Sequence, residues 1–274
     1  MRSAVANSTA NDRVQNAKTA RTVSAKTVMS EDSSGLSNTI SQTQFVASEV
    51  EEFQNHRKHE FFVFEKRSKE FKWLDHTEHN SNFILYKKAI ESISSNINAV
   101  DVGSRDGEFS RYLTWTFDHV YCFDYREPSF FARNVDVQKV THYKVALGRE
   151  YAQEIGSGRN NFRNPVFHIP YWQRMKNDST FDTIAPLDSF NLKNVGLIKI
   201  DVDGMELEVL EGAINTIKEY KPIIIIEELM MNTGRINHEG VAYLKQHGYT
   251  EIFKHKGNDI HSDYILQANE HGIK

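Results

Sequence analysis

Leu197-Ile198-Lys199-Ile200-Asp201-Val202-Asp203-Gly204-Met205-Glu206 runs from an apolar stretch into two acids and a glycine. The chain then continues Leu207-Glu208-Val209-Leu210-Glu211-Gly212-Ala213. Val195 to Val202 reads as a strand, because it is short and rich in branched side chains, with Lys199 among them before the run reaches Asp201. Glu206 to Tyr220 repeats apolar residues at helical spacing, and Pro222 opens a second run, Ile223-Ile224-Ile225-Ile226. Consecutive isoleucines fit a strand covered on both faces. Strand, helix and strand in that order form a βαβ unit, which implies a parallel sheet.

The same alternation extends outward. Towards the N-terminus, Tyr86, Ala89, Ile90 and Ile93 recur at helical spacing and precede an apolar run from Ile97 to Val102. A helix over Glu108 to Phe117 follows, then strands over His119 to Phe123, closing on Asp124, and over Val140 to Leu147. Towards the C-terminus the pattern predicts a helix near His238 to Gln246 and strands near Thr250 to Lys254 and Tyr264 to Gln267. The expectation is one α/β domain over 81–274, a mainly parallel central sheet with helices on both faces.

Two other regions precede it. Residues 49–80 mix Phe53, Phe61, Phe62, Phe64, Phe71 and Trp73 with charges, and are expected to form a helical extension packed on the main domain. His56 and His59 have helical ligand spacing, but no cysteine or carboxylate partner completes a metal site. Residues 1–48 are dominated by Ser, Thr, Asn, Ala and Gln, which bury too little surface to offset the entropy of ordering them. A flexible low-complexity tail is expected. Its basic residues (Arg2, Arg13, Lys18, Arg21, Lys26) give a passing likeness to a transit peptide, yet the small, scattered apolar residues favour a solvated tail or interaction arm.

Bulk composition narrows the function classes. A net charge of -4 over 274 residues gives no electrostatic case for a dedicated nucleic-acid binder. Cys122 is the single cysteine, so neither an internal disulfide nor a cysteine-built zinc site can form. No run approaches the roughly 18 apolar residues of a membrane span. A soluble, cytoplasmic protein is expected.

The loop Asp101-Val102-Gly103-Ser104-Arg105-Asp106-Gly107 ends the first parallel strand, where ligands of open α/β sheets bind. Gly103 and Gly107 form G-x-x-x-G, not the G-x-G-x-x-G suited to a dinucleotide pyrophosphate. About twenty residues later Asp124 ends the next strand, where a carboxylate can hold both ribose hydroxyls of a nucleoside. Together these predict an adenosine cofactor contacted by Asp101, Gly103, Ser104, Gly107 and Asp124. On these two features alone, a capping Asp101, a turn at Gly103 and a solvated Asp124 explain the pattern equally well.

The block from Leu197 to Ala213 resembles the hallmark of FkbM-type methyltransferases: a K-I-D-V-E-G-x-E core, a leucine-rich helix with G-A, then a strand opening with proline and ending in glutamate. Pro222 and Glu227 fill the last two places, Leu187-Asp188 is similar to the family's L-D, and Asp101-Val102-Gly103 to its D-V-G. The resemblance covers roughly 98–228 and implies a Rossmann-like class I methyltransferase fold, S-adenosyl-L-methionine as cofactor and a sugar or other small hydroxyl compound as acceptor. Three departures stand out. Asp203 replaces a glutamate, Ser104-Arg105-Asp106 replaces an Ala-Asn pair, and Phe123-Asp124-Tyr125-Arg126-Glu127-Pro128 replaces an F-E-P triplet. Either Asp124 or Glu127 is therefore the ribose ligand, with Asp124 favoured because it directly ends the apolar run.

Methyl transfer from a sulfonium is an in-line displacement that needs positioning and, for an oxygen acceptor, removal of a proton. Asp201, Asp203 and Glu206 stand where the reacting centre is expected, and Glu206 also suits the helix macrodipole. Lys199 shares a strand face with Asp201, and a lysine inside a covered sheet needs a partner, so an ion pair with Asp201 or another acid is predicted. If that pair is structural, Asp203 or Glu206 is the better base. Glu227 or Glu228 could line the same cleft. Mg²⁺ on Asp201 and Asp203 is conceivable chemistry, but the resemblance implies metal-free catalysis. Tyr151 to Thr180, rich in Asn, Arg and aromatics, is the expected acceptor-binding region, whereas Asn164-Pro165-Val166-Phe167 reads as a plain loop. The competing readings are an RNA or protein methyltransferase, a non-catalytic adenosyl-binding scaffold and, last, a nicotinamide oxidoreductase.

Overall fold

A computed structural model of the chain describes residues 25–31, 37–43, 60–65, 70–75, 81–125, 131–151, 184–202, 204–229, 238–256 and 261–269. The parallel core begins with α1 (Ser81–Ile90), β5 (Asn98–Val102), α2 (Glu108–Thr116) and β6 (His119–Asp124). It continues through α3 (Phe131–Asn134), β7 (Val140–Lys144), β8 (Ala146–Leu147), β9 (Ile184–Ala185) and β10 (Val195–Ile200). The rest is α4 (Glu206–Gly212), α5 (Ile214–Tyr220), β11 (Ile223–Leu229), α6 (Glu239–Gln246), β12 (Tyr249–Lys256) and β13 (His261–Ala268). Ahead of these lie β1 (Ala25–Glu31), β2 (Ser37–Thr43), β3 (Glu60–Glu65) and β4 (Glu70–Asp75).

The main sheet has the order β1-β2-β7-β6-β5-β10-β11-β13-β12. The run from β7 to β11 is parallel, and β13 enters antiparallel between β11 and β12. This is the mainly parallel sheet that the strand–helix alternation predicted, and the Rossmann-like fold that the resemblance implied. Strand alternation sends Val100, Val102, Ile198, Ile200, Ile224 and Ile226 into one core with Val209, Leu210 and Leu244 of α4 and α6. Ala99, Leu197, Ile223 and Ile225 enter a second core with Leu85 and Leu113 of α1 and α2. Chain order reverses at β5, which has β6 on one side and β10 on the other, so the C-terminal ends of β5 and β10 frame the crevice of the fold. No helix among the described residues is long and apolar enough to cross a membrane.

Four expectations are corrected. The stretch 49–80, expected to be helical, carries the antiparallel hairpin β3–β4, with Phe62 opposite Trp73 and Phe64 opposite Phe71. Aromatic and branched residues favour strands, and each strand satisfies the other's backbone. Within 1–48, expected to be a flexible tail, β1 and β2 pair with each other, and β2 pairs with β7 at Ser41–Lys144. A sheet edge offers unpaired backbone groups, so a segment too polar for a core still gains a ladder. The remainder of 1–48 lies outside the described residues, as do His56 and His59. The helix expected from Glu206 to Tyr220 divides at Ala213, next to Gly212, where a Cβ would stand 2.0 Å from the Gly148 carbonyl oxygen. The strand expected from Val140 to Leu147 breaks at Val145, and its last two residues pair with β9.

Candidate functional site

The crevice is built from the two strand ends that face it. Asp101 of β5 is fully buried and lies in register with Lys199 of β10. Lys199 Nζ lies 3.4 Å from Asp101 Oδ1 and 3.2 Å from Asp201 Oδ2, and donates to the Gly103 carbonyl at 3.3 Å. Its ammonium also stands 5.8 Å from the centre of the Phe109 ring on α2. The other Asp101 oxygen accepts the Ser110 hydroxyl at 2.6 Å, and Ser110 Oγ accepts the Cys122 thiol at 3.3 Å. The ion pair expected between Lys199 and Asp201 is thus present, with Asp101 as a second carboxylate on the same ammonium.

This arrangement fixes the charges. Burial would depress Lys199, but Asp201 and then Asp101 outweigh it and hold the amine well above the usual lysine range. Burial would raise Asp201, yet Lys199 keeps it below the usual carboxylate range. Asp101 is raised by burial despite Lys199 and Ser110. Glu227, at the end of β11, hydrogen-bonds Asp201 and is pushed up to about 10 by burial and then by Asp201's charge, so it is a neutral acid beside an ionised one. Glu228 points to the other face. There it accepts the Val241 amide at 2.8 Å and meets His238 Nδ1 at 2.6 Å, tying β11 to α6. Of these two acids, only Glu227 joins Asp201.

The glycine loop is pinned at both ends. The Gly103 and Ser104 amides donate to the Phe123 carbonyl at 2.8 and 3.2 Å, and Gly107 donates to the Ser104 carbonyl at 2.8 Å before α2 begins. Gly103 has φ 79°, and a Cβ on it would stand 1.9 Å from the Asp201 carbonyl oxygen. Only glycine satisfies both that backbone conformation and that approach. Asp124 is buried at the end of β6, not solvated, and its Oδ2 accepts the Arg105 amide at 2.9 Å. Ser104 Oγ is buried without a hydrogen-bond partner among the described residues. Buried hydroxyls are normally paired, so this one marks a place where a polar ligand group fits.

Beyond β10, Glu206 Oε1 accepts the Val202 and Gly204 amides at 3.3 and 2.9 Å, clasping the turn between strand and helix. Burial pushes its carboxyl up to about 7 despite those bonds. Asp203 lies outside the described residues, as do Glu127 and residues 152–180 of the expected acceptor region. Ser110 and the Asp101–Lys199 contact were not singled out from sequence: the first depends on how α2 packs against β5, the second on the register of β5 with β10. His142 of β7 is fully buried, with neither ring nitrogen hydrogen-bonded among the described residues. Burial pushes it down to about 4, against a smaller upward pull from Asp124.

Comparison with known proteins finds a family match described as methyltransferase FkbM domain over residues 78–251. No curated protein matches the sequence. Among solved structures, an FkbM methyltransferase from Methylobacillus flagellatus is 16% identical with a TM-score of 0.43, the match covering 62% of this chain and 43% of that one. The chain therefore spans less than half the length of that protein. A precorrin-6y C5,15-methyltransferase from Geobacter metallireducens is 13% identical with a TM-score of 0.45, covering 76% and 93%. The N-methyltransferase NodS from Bradyrhizobium japonicum, solved with S-adenosyl-L-homocysteine, is 12% identical with a TM-score of 0.37, covering 69% and 86%.

Proposed function

The chain belongs to the methyltransferase FkbM domain family, and from that premise we propose that it uses S-adenosyl-L-methionine to methylate a hydroxyl oxygen of a sugar or other small acceptor. One observation carries the reading: the Gly103 backbone lies against the Asp201 carbonyl, so a ligand-binding loop and an acid-bearing strand end meet in a single crevice. The residues present suit the adenosyl cofactor. In this reading Asp124 holds the ribose hydroxyls, and the Ser104 hydroxyl and the Asp101–Gly107 loop hold the polar amino-acid portion; the burial of Asp124 at the end of β6 and the orphaned Ser104 hydroxyl support it.

Bound there, S-adenosyl-L-methionine supplies an electrophilic methyl group. Asp201, kept ionised by Lys199, is a weak base, and its role is to orient the acceptor hydroxyl. Glu206, with a carboxyl pushed up to about 7, matches the condition for a proton acceptor at neutral pH, and Asp203 is the other candidate for that step. Neutral Glu227 steadies Asp201 by a hydrogen bond without adding a second negative charge.

The test is calorimetric titration of the full chain with S-adenosyl-L-methionine, S-adenosyl-L-homocysteine and NAD. One-site binding of the two adenosyl compounds alone is expected, weakened by Asp124→Ala and unchanged by Glu127→Ala. Folded protein that binds neither adenosyl compound would overturn the proposal. Loss on Glu127→Ala alone would move the ribose contact from Asp124 to Glu127.

A further inference from the structure

We infer that Lys199 is the positioning residue that couples the two halves of the crevice: one ammonium group holds the Gly103 carbonyl on the glycine loop and the Asp201 carboxylate on the acceptor side. The inference rests on the adenosyl reading of that loop.

A lysine ammonium has three N–H donors and no acceptor. Three oxygens surround Lys199 Nζ at 3.2 to 3.4 Å, each from a different segment: Asp101 at the end of β5, Gly103 in the loop and Asp201 at the end of β10. The side chain is 8% exposed, so water offers no ready substitute if one partner is displaced. The Gly103 peptide has little freedom, since its amide is bonded to Phe123 and its Cα abuts the Asp201 carbonyl. A ligand that shifts or orders this peptide therefore acts on the ammonium, and through it on Asp201. Neutralising buried Asp101 requires only a positive charge near β5. Reaching the loop carbonyl and Asp201 as well requires this amine at this height. An arginine would not serve, because its planar fork cannot direct three donors to three converging segments.

Binding of S-adenosyl-L-homocysteine to the full chain, measured by calorimetry at pH 7.5 and 5.5, separates coupling from a merely structural lysine. The other charged groups facing Asp201 are Asp101, Arg105, Glu206, Glu227 and Asp263, with His261 beyond Glu227. Glu227 and Asp263 also lose the Lys199 ammonium in the variant and move with Asp201, so the comparison reads this carboxylate group as a unit. Lys199→Met is expected to weaken binding by about 5- to 150-fold, the usual span of coupling between sites. The deficit should be larger at pH 5.5, where Asp201 without its ammonium begins to take up a proton. Lys199→Arg should not restore affinity. If Lys199→Met does not fold, Lys199→Met with Asp101→Asn is compared with Asp101→Asn alone, which leaves no unpaired buried aspartate. Equal affinity and equal pH response with and without Lys199, in protein of lowered thermal stability, would reduce the residue to a structural ion pair and overturn the inference. Folded wild type that fails to bind at all is a different result, because it removes the adenosyl reading itself.

Discussion

Replacing His142 by leucine should make the protein more tolerant of acid, and the size of the effect follows from its burial. The imidazole is fully buried, has no hydrogen-bond partner among the described residues, and is pushed down to about 4 from an ordinary 6.5. Its folded-state value is the lower one, so below 6.5 the unfolded chain binds a proton that the folded chain refuses. Stability is lost as pH falls through that window, by about 3 kcal/mol once both values are passed. Between pH 7.5 and 5 the loss is about 2 kcal/mol. Glu206 works in the opposite sense. Its folded-state carboxyl stands at about 7 against an ordinary 4.5, so the folded protein gains about 2 kcal/mol over the same interval. The two contributions oppose each other, and Glu227, pushed up to about 10, adds to the second, so the wild-type curve alone isolates neither. The assay is urea unfolding of wild type and His142→Leu at pH 5 to 7.5, read as the difference between the two proteins at each pH. That difference should shift in the variant's favour by about 2 kcal/mol as pH falls. A constant difference would refute the claim that His142 is held neutral by burial.

The counterpart variant, Glu206→Gln, should behave inversely: relative to wild type it is more stable at pH 7.5 and loses that advantage, about 2 kcal/mol, by pH 5. A pH-independent difference in the same urea series would show that Glu206 is ionised throughout. Gly103→Ala should cost about 1–3 kcal/mol from its left-handed backbone. It should also abolish S-adenosyl-L-homocysteine binding, since the added Cβ forces the loop away from the Asp201 carbonyl. Wild-type affinity in that variant would place the ligand elsewhere.

The fold was legible wherever strands announce themselves by composition. β5, β6, β10 and β11 are compact apolar runs that stop at acids, and the helices between them keep a clear apolar face. The breaks were not legible, because they sit at tertiary contacts: the break at Ala213 falls beside Gly212, which packs against the carbonyl of Gly148, far off in sequence. The hairpin β3–β4 was misread because aromatic residues mixed with charges suit a helix face as well as a ladder, and only pairing decides between them. In the site, the Lys199–Asp201 contact follows from strand alternation along one segment. Asp101 as the second partner requires knowing that β5 lies beside β10 in this register. His142 gave no signal, since a histidine within a strand looks the same whether its ring is solvated or entombed.

The sheet order also governs the sequence of events during folding. β5 is completed at residue 102, yet one of its two neighbours, β10, begins only at residue 195. A growing chain shorter than that can pair β5 with β6, and β6 with β7, while the opposite edge of β5 presents open backbone groups on an apolar strand. Such an edge is a template for pairing with other chains, and closing it demands a contact across a long loop, which is entropically slow. Truncations ending before Val195 are therefore expected to aggregate, and nascent chains of that length to depend on chaperones until the central strand arrives.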